Sequence, residues 1–333
     1  MRIFVTGNRG YIGSHLVDLL KAEGHTVTGC DLGLYRVAEW DPVVNPDEEL
    51  VKDVRLLTEK DVEGHDCIMH LAAISNDPMG ELDSNVTKTI NADGSIRLAE
   101  VAKRAGVPRF LFASSCSMYG KGVSLDLDET AELNPVSLYA QSKIDAEKGI
   151  HALADDSFSP ASLRNATAYG YSPVLRVDLV LNNLLASALS YGELRVMSDG
   201  SPWRPLIHCR DIARAFVAFG NANKEQIHNQ AINVGGDTEN YQVKDVVSTI
   251  QNLLPETDVV FTGEVGVDPR NYRVKFDKLN AQLPEFKLEY NLARGAEELL
   301  RKMRDHGFDR AAFEGDTFVR LRTLRTQLEK IVA

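Results

Sequence analysis

Short apolar runs alternate with amphipathic ones from the start of the chain. RIFVTG, HTVTGCD, DCIMHLAA and RFLFASS each close on Gly or polar residues, whereas SHLVDLLKAEG and SIRLAEVAKRAGV repeat their apolar positions at helical spacing. This alternation, sustained through residue 170, predicts parallel strands joined by crossover helices, a doubly wound α/β sheet. Such sheets bind ligands beyond the carboxyl ends of their strands. Here those ends read TGNRG, CDLG, LAAIS and SSCSMYG, all Gly-rich or polar. Beyond residue 170 the rhythm loosens through VDLVLNNLLASAL, SDGSPWRP and QAINVGG. Residues 1–170 are expected to form the first domain, with 206–236 returning to it, and 171–333 to supply mainly a smaller C-terminal domain. In the tail, Phe318, Leu321, Leu324, Leu328 and Ile331 have the spacing of a helix packed on the body.

The glycine run gives the first strand end a chemistry. TGNRGYIG follows a strand and opens a helix, so Gly7, Gly10 and Gly13 permit a tight turn, close approach to a pyrophosphate and close helix packing. Arg9, Tyr11 and Ile12 complete that loop. The second strand ends in Asp31, whose carboxylate accepts hydrogen bonds from an adenosine ribose and repels a 2′-phosphate; it favours NAD over NADP. Arg9 and Arg36 leave two readings open, salt bridges to acidic neighbours or reception of a 2′-phosphate.

Composition narrows the partners. With 48 Asp and Glu against 37 Lys and Arg, the net charge of −11 argues against nucleic acid or an anionic membrane surface. An anionic small substrate must then meet a few local cations. Four cysteines lie far apart without CxxC pairing, and eight His lack metal-ligand spacing, so neither disulfide framework nor metal is expected and a reducing cytoplasm fits best. MRIFVTG lacks the apolar core of a signal peptide, and no stretch has the length of a membrane span.

A second constellation lies at SSCSMYG and NPVSLYAQSKIDAEK. Tyr139 and Lys143 stand four apart on one helix face, and Ser115 ends a strand whose mouth faces the same ligand. A phenol with a pKa of about 10 becomes a usable base if a nearby ammonium and an oxidised nicotinamide lower it by roughly three units, about 4 kcal/mol. Tyr139 then takes a hydroxyl proton, and Ser115 holds the same oxygen. An isolated YxxxK is more often a surface Tyr beside a solvated Lys; the strand-end Ser changes that balance.

Together the glycine loop, Asp31, HLAA, SSCSMYG, YAQSK and LRNATAYG resemble the extended short-chain dehydrogenase/reductase family of NAD-dependent nucleotide-sugar epimerases and dehydratases. The resemblance implies a Rossmann-type domain holding the cofactor, a smaller C-terminal domain holding a nucleotide diphosphate sugar, and a homodimer. Carried onto this chain it implies cofactor contacts from Asp53, Val54, Leu71, Ala72, Ala73, Asn91 and Ser114, besides Tyr139 and Lys143. It also implies a diphosphate clamp of Arg204 and Arg270 with Asn183 as amide partner. Ser75, Asn76 and Thr167 are the expected sugar contacts, although Thr167 stands where many members have Asn. Arg176 and Arg210 read as surface arginines paired with acids, and Asp211 as a helix cap.

Members of this family share the oxidation of a sugar hydroxyl and differ in the fate of the resulting ketone. In 4,6-dehydratases an acidic pair follows the catalytic Ser or Thr; here Cys116 and Ser117 occupy those positions, which disfavours elimination. Cys116 reads as a small packing residue. The expected activity is therefore an epimerase inverting C4 through a transient ketone. The alternatives are a reductase or dehydrogenase with exchangeable NAD(P)(H), and a non-catalytic dinucleotide-binding regulator.

Overall fold

A computed structural model describes residues 1–75, 84–121, 126–263 and 270–332, with side chains described through residue 326. Seven strands form one sheet: β1 (Arg2–Thr6), β2 (Thr26–Cys30), β3 (Glu48–Leu50), β4 (Cys67–His70), β5 (Arg109–Ser115), β6 (Ser159–Asn165) and β7 (Gln230–Val234). Their order is β7-β6-β5-β4-β1-β2-β3, and every neighbouring pair is parallel. Strands covered on both faces need apolar residues in both phases of their alternation. Accordingly Ile3, Val5, Met69 and Leu111 bury into one core, and Phe4, Ile68, Phe110 and Phe112 into another on the opposite face.

On the first face lie the helix Gly13–Ala22 and the helix Cys209–Asn221. The helices Gly94–Arg104 and Leu138–His151 cover the other through Leu98, Ala99, Ala102, Ala146 and Ile150. The chain winds outward in both directions from β1, which lies between β2 and β4, so a crevice opens at the carboxyl ends of β1 and β4.

A third core gathers around the helices Val180–Tyr191, Val243–Leu253 and Leu292–Asp305. Beside it a strand at Trp203–His208 pairs in parallel with Thr167–Tyr169 and antiparallel with Asn240–Gln242. Phe318 packs against this core, as the tail pattern suggested; Leu328 and Ile331 lie outside the described side chains. Asp211 differs from expectation. His208 Nδ1 caps the helix by accepting from the Arg210 NH, while the buried Asp211 carboxylate accepts the backbone NH groups of Glu289 and Tyr290. A carboxylate with no water around it goes where unpaired NH groups are, and here those belong to a distant loop.

Candidate active site

The glycine loop is a cradle shaped by what it lacks. Gly7 has φ of +74°, and a Cβ there would meet Ala72 N at 2.8 Å; at Gly13 it would fall on the Gly7 carbonyl. Gly10 NH donates to Gly7 O at 2.9 Å, closing the turn, and a Cβ on Gly10 would meet that oxygen at 3.0 Å. The loop thus lies directly against Leu71 and Ala72, at the mouth of the helix Gly13–Ala22. Thr6 Oγ1 supports the junction by accepting the Leu71 and Ala72 NH groups at 3.2 Å.

Asp31, which follows β2, sits beside this cradle. Its carboxylate accepts the Arg9 NH at 3.2 Å and the Gly33 NH at 2.7 Å, which leaves lone pairs for further donors. Burial pushes its pKa above the ordinary carboxylate value, against the pull of those two NH groups. The Arg9 side chain has acidic and amide partners. Its guanidinium is held bidentately by Glu49 at 2.6 and 2.7 Å and by Asn45 at 2.7 Å, and Arg36 joins Glu49 at 3.1 Å. Hydrogen bonds from Arg9 hold the Glu49 carboxyl down at about 2. Both arginines are therefore engaged by an acid, Glu49. Asp53 caps the short turn Val54–Leu56 and pairs with the Arg55 guanidinium at 2.7 Å; Val54 is buried beneath it.

Around β5 the Ser, Tyr and Lys set meets one strand end. Ser115 Oγ accepts the Ser117 NH at 3.1 Å, which uses a lone pair and leaves the hydroxyl proton to be donated. Lys143 is 3% exposed and donates from Nζ to Ala113 O at 2.7 Å, two residues before Ser115 on the same strand. Its ammonium nitrogen lies 4.7 Å from the Phe112 ring centroid and 5.8 Å from that of the half-buried Tyr139. Burial lowers its pKa from 10.5 to about 7.

Asn91 lies in a π-turn, Thr89–Asp93, and ties the two halves of the site together. Its side-chain amide accepts from Ile74 NH at 2.8 Å, donates to Ile74 O at 3.0 Å and reaches Ser142 Oγ on the tyrosine helix at 3.2 Å. The Ser114 hydroxyl donates to Glu147 Oε2 at 2.9 Å, and Glu147 in turn pairs with the buried Arg164 at 2.5 Å. Cys116 is buried, donates to Arg164 O at 3.1 Å, and burial pushes its thiol far up, so it is held as an unreactive thiol. Ser117 is 9% exposed.

The expected substrate residues lie partly together. Arg204 is largely buried and donates from Nη1 to the carbonyls of Trp203, at 2.8 Å, and of Arg270. Asn183 is exposed and donates to Val177 O at 3.1 Å. Thr167 is half-buried opposite Leu206 in the small sheet. Ser75 accepts from Arg176 Nη1 at 3.2 Å, and Asn76 lies outside the described residues. Arg210 does meet an acid, Asp18, at 3.5 Å. Arg176 meets Asp178 at 3.0 Å, yet it is buried, with its guanidinium 5.9 Å from the Tyr11 ring centroid. In the sequence its only signal is RVD, an Arg and an Asp two residues apart amid apolar neighbours.

A parallel sheet wound outward from a glycine cradle, with an acid at its second strand and a Ser, Tyr and Lys set at its fifth, defines a dinucleotide-dependent oxidoreductase of the short-chain dehydrogenase/reductase type. The profile of the NAD dependent epimerase/dehydratase family matches residues 3–235, and the chain belongs to that family. It is 32% identical to the UDP-glucose 4-epimerase of Mycolicibacterium smegmatis (strain ATCC 700084 / mc(2)155) over 235 residues, 66% of this chain and 73% of that protein. Among solved structures it is similar to TunA, an NAD-dependent NDP-hexosamine 5,6-dehydratase of tunicamycin biosynthesis. That match has a TM-score of 0.82 and 27% identity, covering 91% of this chain and 98% of the other. It is also similar to MoeE5 in complex with UDP-glucose and NAD, with a TM-score of 0.79, 25% identity, and coverage of 92% and 99%. The protein is an NAD-dependent enzyme of nucleotide-sugar chemistry.

Proposed function

We propose that the protein is an epimerase that inverts C4 of a nucleotide diphosphate sugar through a transient 4-ketone. The observation that carries this reading is the strand end at β5. It carries the Ser115 hydroxyl two residues past the Ala113 carbonyl that holds Lys143, whose Nζ lies 5.8 Å from the Tyr139 ring centroid, while the two positions after Ser115 hold a buried thiol and a hydroxyl in place of carboxylates. The glycine cradle and Asp31 fit NAD: the loop approaches closely only because Gly7 and Gly13 lack a Cβ. Held there, NAD would supply a reversible hydride acceptor for the sugar carbon.

This chain's own residues supply the proton chemistry and the orientation. Tyr139 takes the proton of the C4 hydroxyl and gives it back after the ketone has presented its other face. Ser115 donates to the same oxygen and steadies the charge that develops on it. Lys143, fixed on Ala113 O, lowers the cost of the phenolate. Gly7, Gly10, Tyr11, Ile12, Leu71 to Ala73, Asp53 and Val54 line the cofactor, and Asn91 holds the Ile74 backbone against the tyrosine helix. On the sugar-nucleotide side, Arg204 and Arg270 hold the diphosphate, Asn183 assists them, and Ser75, Asn76 and Thr167 face the sugar. The homodimer and the division into a cofactor and a sugar domain belong to the same proposal.

TunA is named for a dehydration, so the test must separate inversion from elimination. UDP-, GDP-, CDP- and dTDP-sugars are incubated with purified protein without added cofactor, and products are followed by NMR and mass spectrometry. A C4 epimer of unchanged mass, formed by protein that releases NAD on denaturation, is expected. A product lighter by one water, or turnover only with a continuous supply of NAD(P)(H), contradicts the proposal.

A further inference from the structure

Arg320 opens the last helix, Arg320–Val332, far along the chain from the glycine loop, and it is 2% exposed. Its guanidinium carbon lies 4.1 Å from the ring centroid of Tyr35, four residues past Asp31. Nη2 makes a long 3.5 Å contact with Val174 O, and among the described residues Nη1 has no hydrogen-bond partner. A buried guanidinium with unused donors is an unfavourable group to keep inside a protein, so an anion is its natural complement.

Three segments are laced together to hold it there. Trp40 NH donates to Pro173 O at 3.0 Å, Leu175 NH to Ala38 O at 3.2 Å, and Val177 NH to Phe318 O at 2.9 Å. The Trp40 ring packs on Phe318 at 5.7 Å. The loop that follows Asp31, the stretch 172–178 and the C-terminal segment thus form one layered wall beside the cofactor cradle.

The wall holds two guanidinium groups. Arg176 pairs with Asp178 at 3.0 Å, whereas Nη1 of Arg320 has no hydrogen-bond partner among the described residues. Burial and the like charge of Arg176 push Arg320 down to about 10, with Asp178 and Asp31 acting in the opposite direction. Arg320 lies against Tyr35 and within reach of the Asp31 charge, and its neighbour Arg176 lies 5.9 Å from the ring centroid of Tyr11 in the glycine loop. Of the parts of a dinucleotide that span from a glycine loop to a ribose-binding acid, the diphosphate is the anionic one.

We propose that Arg320 binds the diphosphate of NAD, making the C-terminal segment a clasp that keeps the cofactor in place between turnovers. The inference rests on the cofactor reading above and adds the residue that retains the cofactor. A guanidinium reaching an enclosed diphosphate makes charge-assisted hydrogen bonds that a ligand must break before leaving. Such retention suits an enzyme that reuses one cofactor.

The full-length wild-type, Arg320→Gln and Arg320→Lys proteins, stripped of nucleotide, are titrated calorimetrically with ADP-ribose, adenosine and UDP. Arg320→Gln is expected to bind ADP-ribose about 10- to 100-fold more weakly, the size of a lost charge-assisted hydrogen bond, with adenosine and UDP unchanged. As purified, it also carries less NAD than the wild type. Arg320→Lys, which keeps the charge and loses the planar fork, shifts ADP-ribose in the same direction by less, and serves alone if Arg320→Gln does not fold. Equal ADP-ribose affinity in all three proteins overturns the clasp. So does a loss confined to UDP, which assigns Arg320 to the sugar nucleotide, and so does an equal loss for adenosine and ADP-ribose, which makes it a packing support. If the wild type binds no ADP-ribose, the cofactor reading itself falls.

Discussion

Lys143 shows how one residue's surroundings decide its role. It is held by the Ala113 carbonyl and the rings of Phe112 and Tyr139, and burial alone moves its pKa from 10.5 to about 7. Between those two values the unfolded chain keeps a proton that the folded chain has released, so stability rises with pH across the window; below about 7 both states are charged and the contribution is flat. Urea unfolding of cofactor-free wild type and Lys143→Met at pH 7 and pH 9.5 is expected to show the wild type gaining stability relative to the variant, on the order of a few kcal/mol. Parallel behaviour of the two proteins contradicts a depressed Lys143. At this scale much was legible: Ser115, Tyr139 and Lys143 announce themselves by type and spacing, and Gly7 and Gly13 by placement between strand and helix. Arg176, Arg164 and Arg320 did not, because burial of a charged residue depends on long-range contacts that no local pattern carries. Arg9 and Arg36 posed a choice that only the position of Glu49, across the sheet edge, decides.

The helix Leu138–His151 is the element on which the site depends. Tyr139, Lys143 and Glu147 recur at intervals of four and share one face, which turns toward β5. Glu147 anchors that face: it pairs with Arg164 on β6 at 2.5 Å and accepts from Ser114 on β5, so the helix is pinned to two strands through one carboxylate. Arg164 also donates to the Tyr119 hydroxyl at 3.1 Å, and Tyr119 to Asn233 on β7 at 2.7 Å, carrying the network across three adjacent strands. Removing the arginine leaves Glu147 charged and buried. Arg164→Met is expected to lower unfolding free energy by about 3–5 kcal/mol, read from denaturant titrations. A loss within about 0.5 kcal/mol, the ordinary surface range, shows that the pair does not hold the helix. The alternation of apolar runs and helical spacings foretold the strands and helices around this one. The anchoring acid was less readable, since in sequence Glu147 is one more charged residue in DAEK.

Across the whole molecule, the crevice between β1 and β4 brings together segments from both ends of the chain. The glycine loop, the acid of β2, the stretch after β4 and the mouth of β5 come from the part matched by the family profile, whereas the segment of the wall that carries Arg320 comes from beyond residue 235. Doubly wound topology explains the first group, because parallel strands put all their carboxyl ends on one side. It does not explain the second, which depends on how a less regular C-terminal half folds back over the loop after Asp31. That is why the sheet and its cradle could be read from strand and helix alternation, and the wall could not. The central claim is that the sugar carbon loses and regains its own hydrogen within one enclosed site. It is tested most directly with a nucleotide sugar deuterated at C4, converted in ordinary water and analysed by NMR. Deuterium retained on the inverted C4 is the predicted result; a C4 epimer that has exchanged its deuterium for solvent hydrogen, or a product without inversion at C4, would contradict the account.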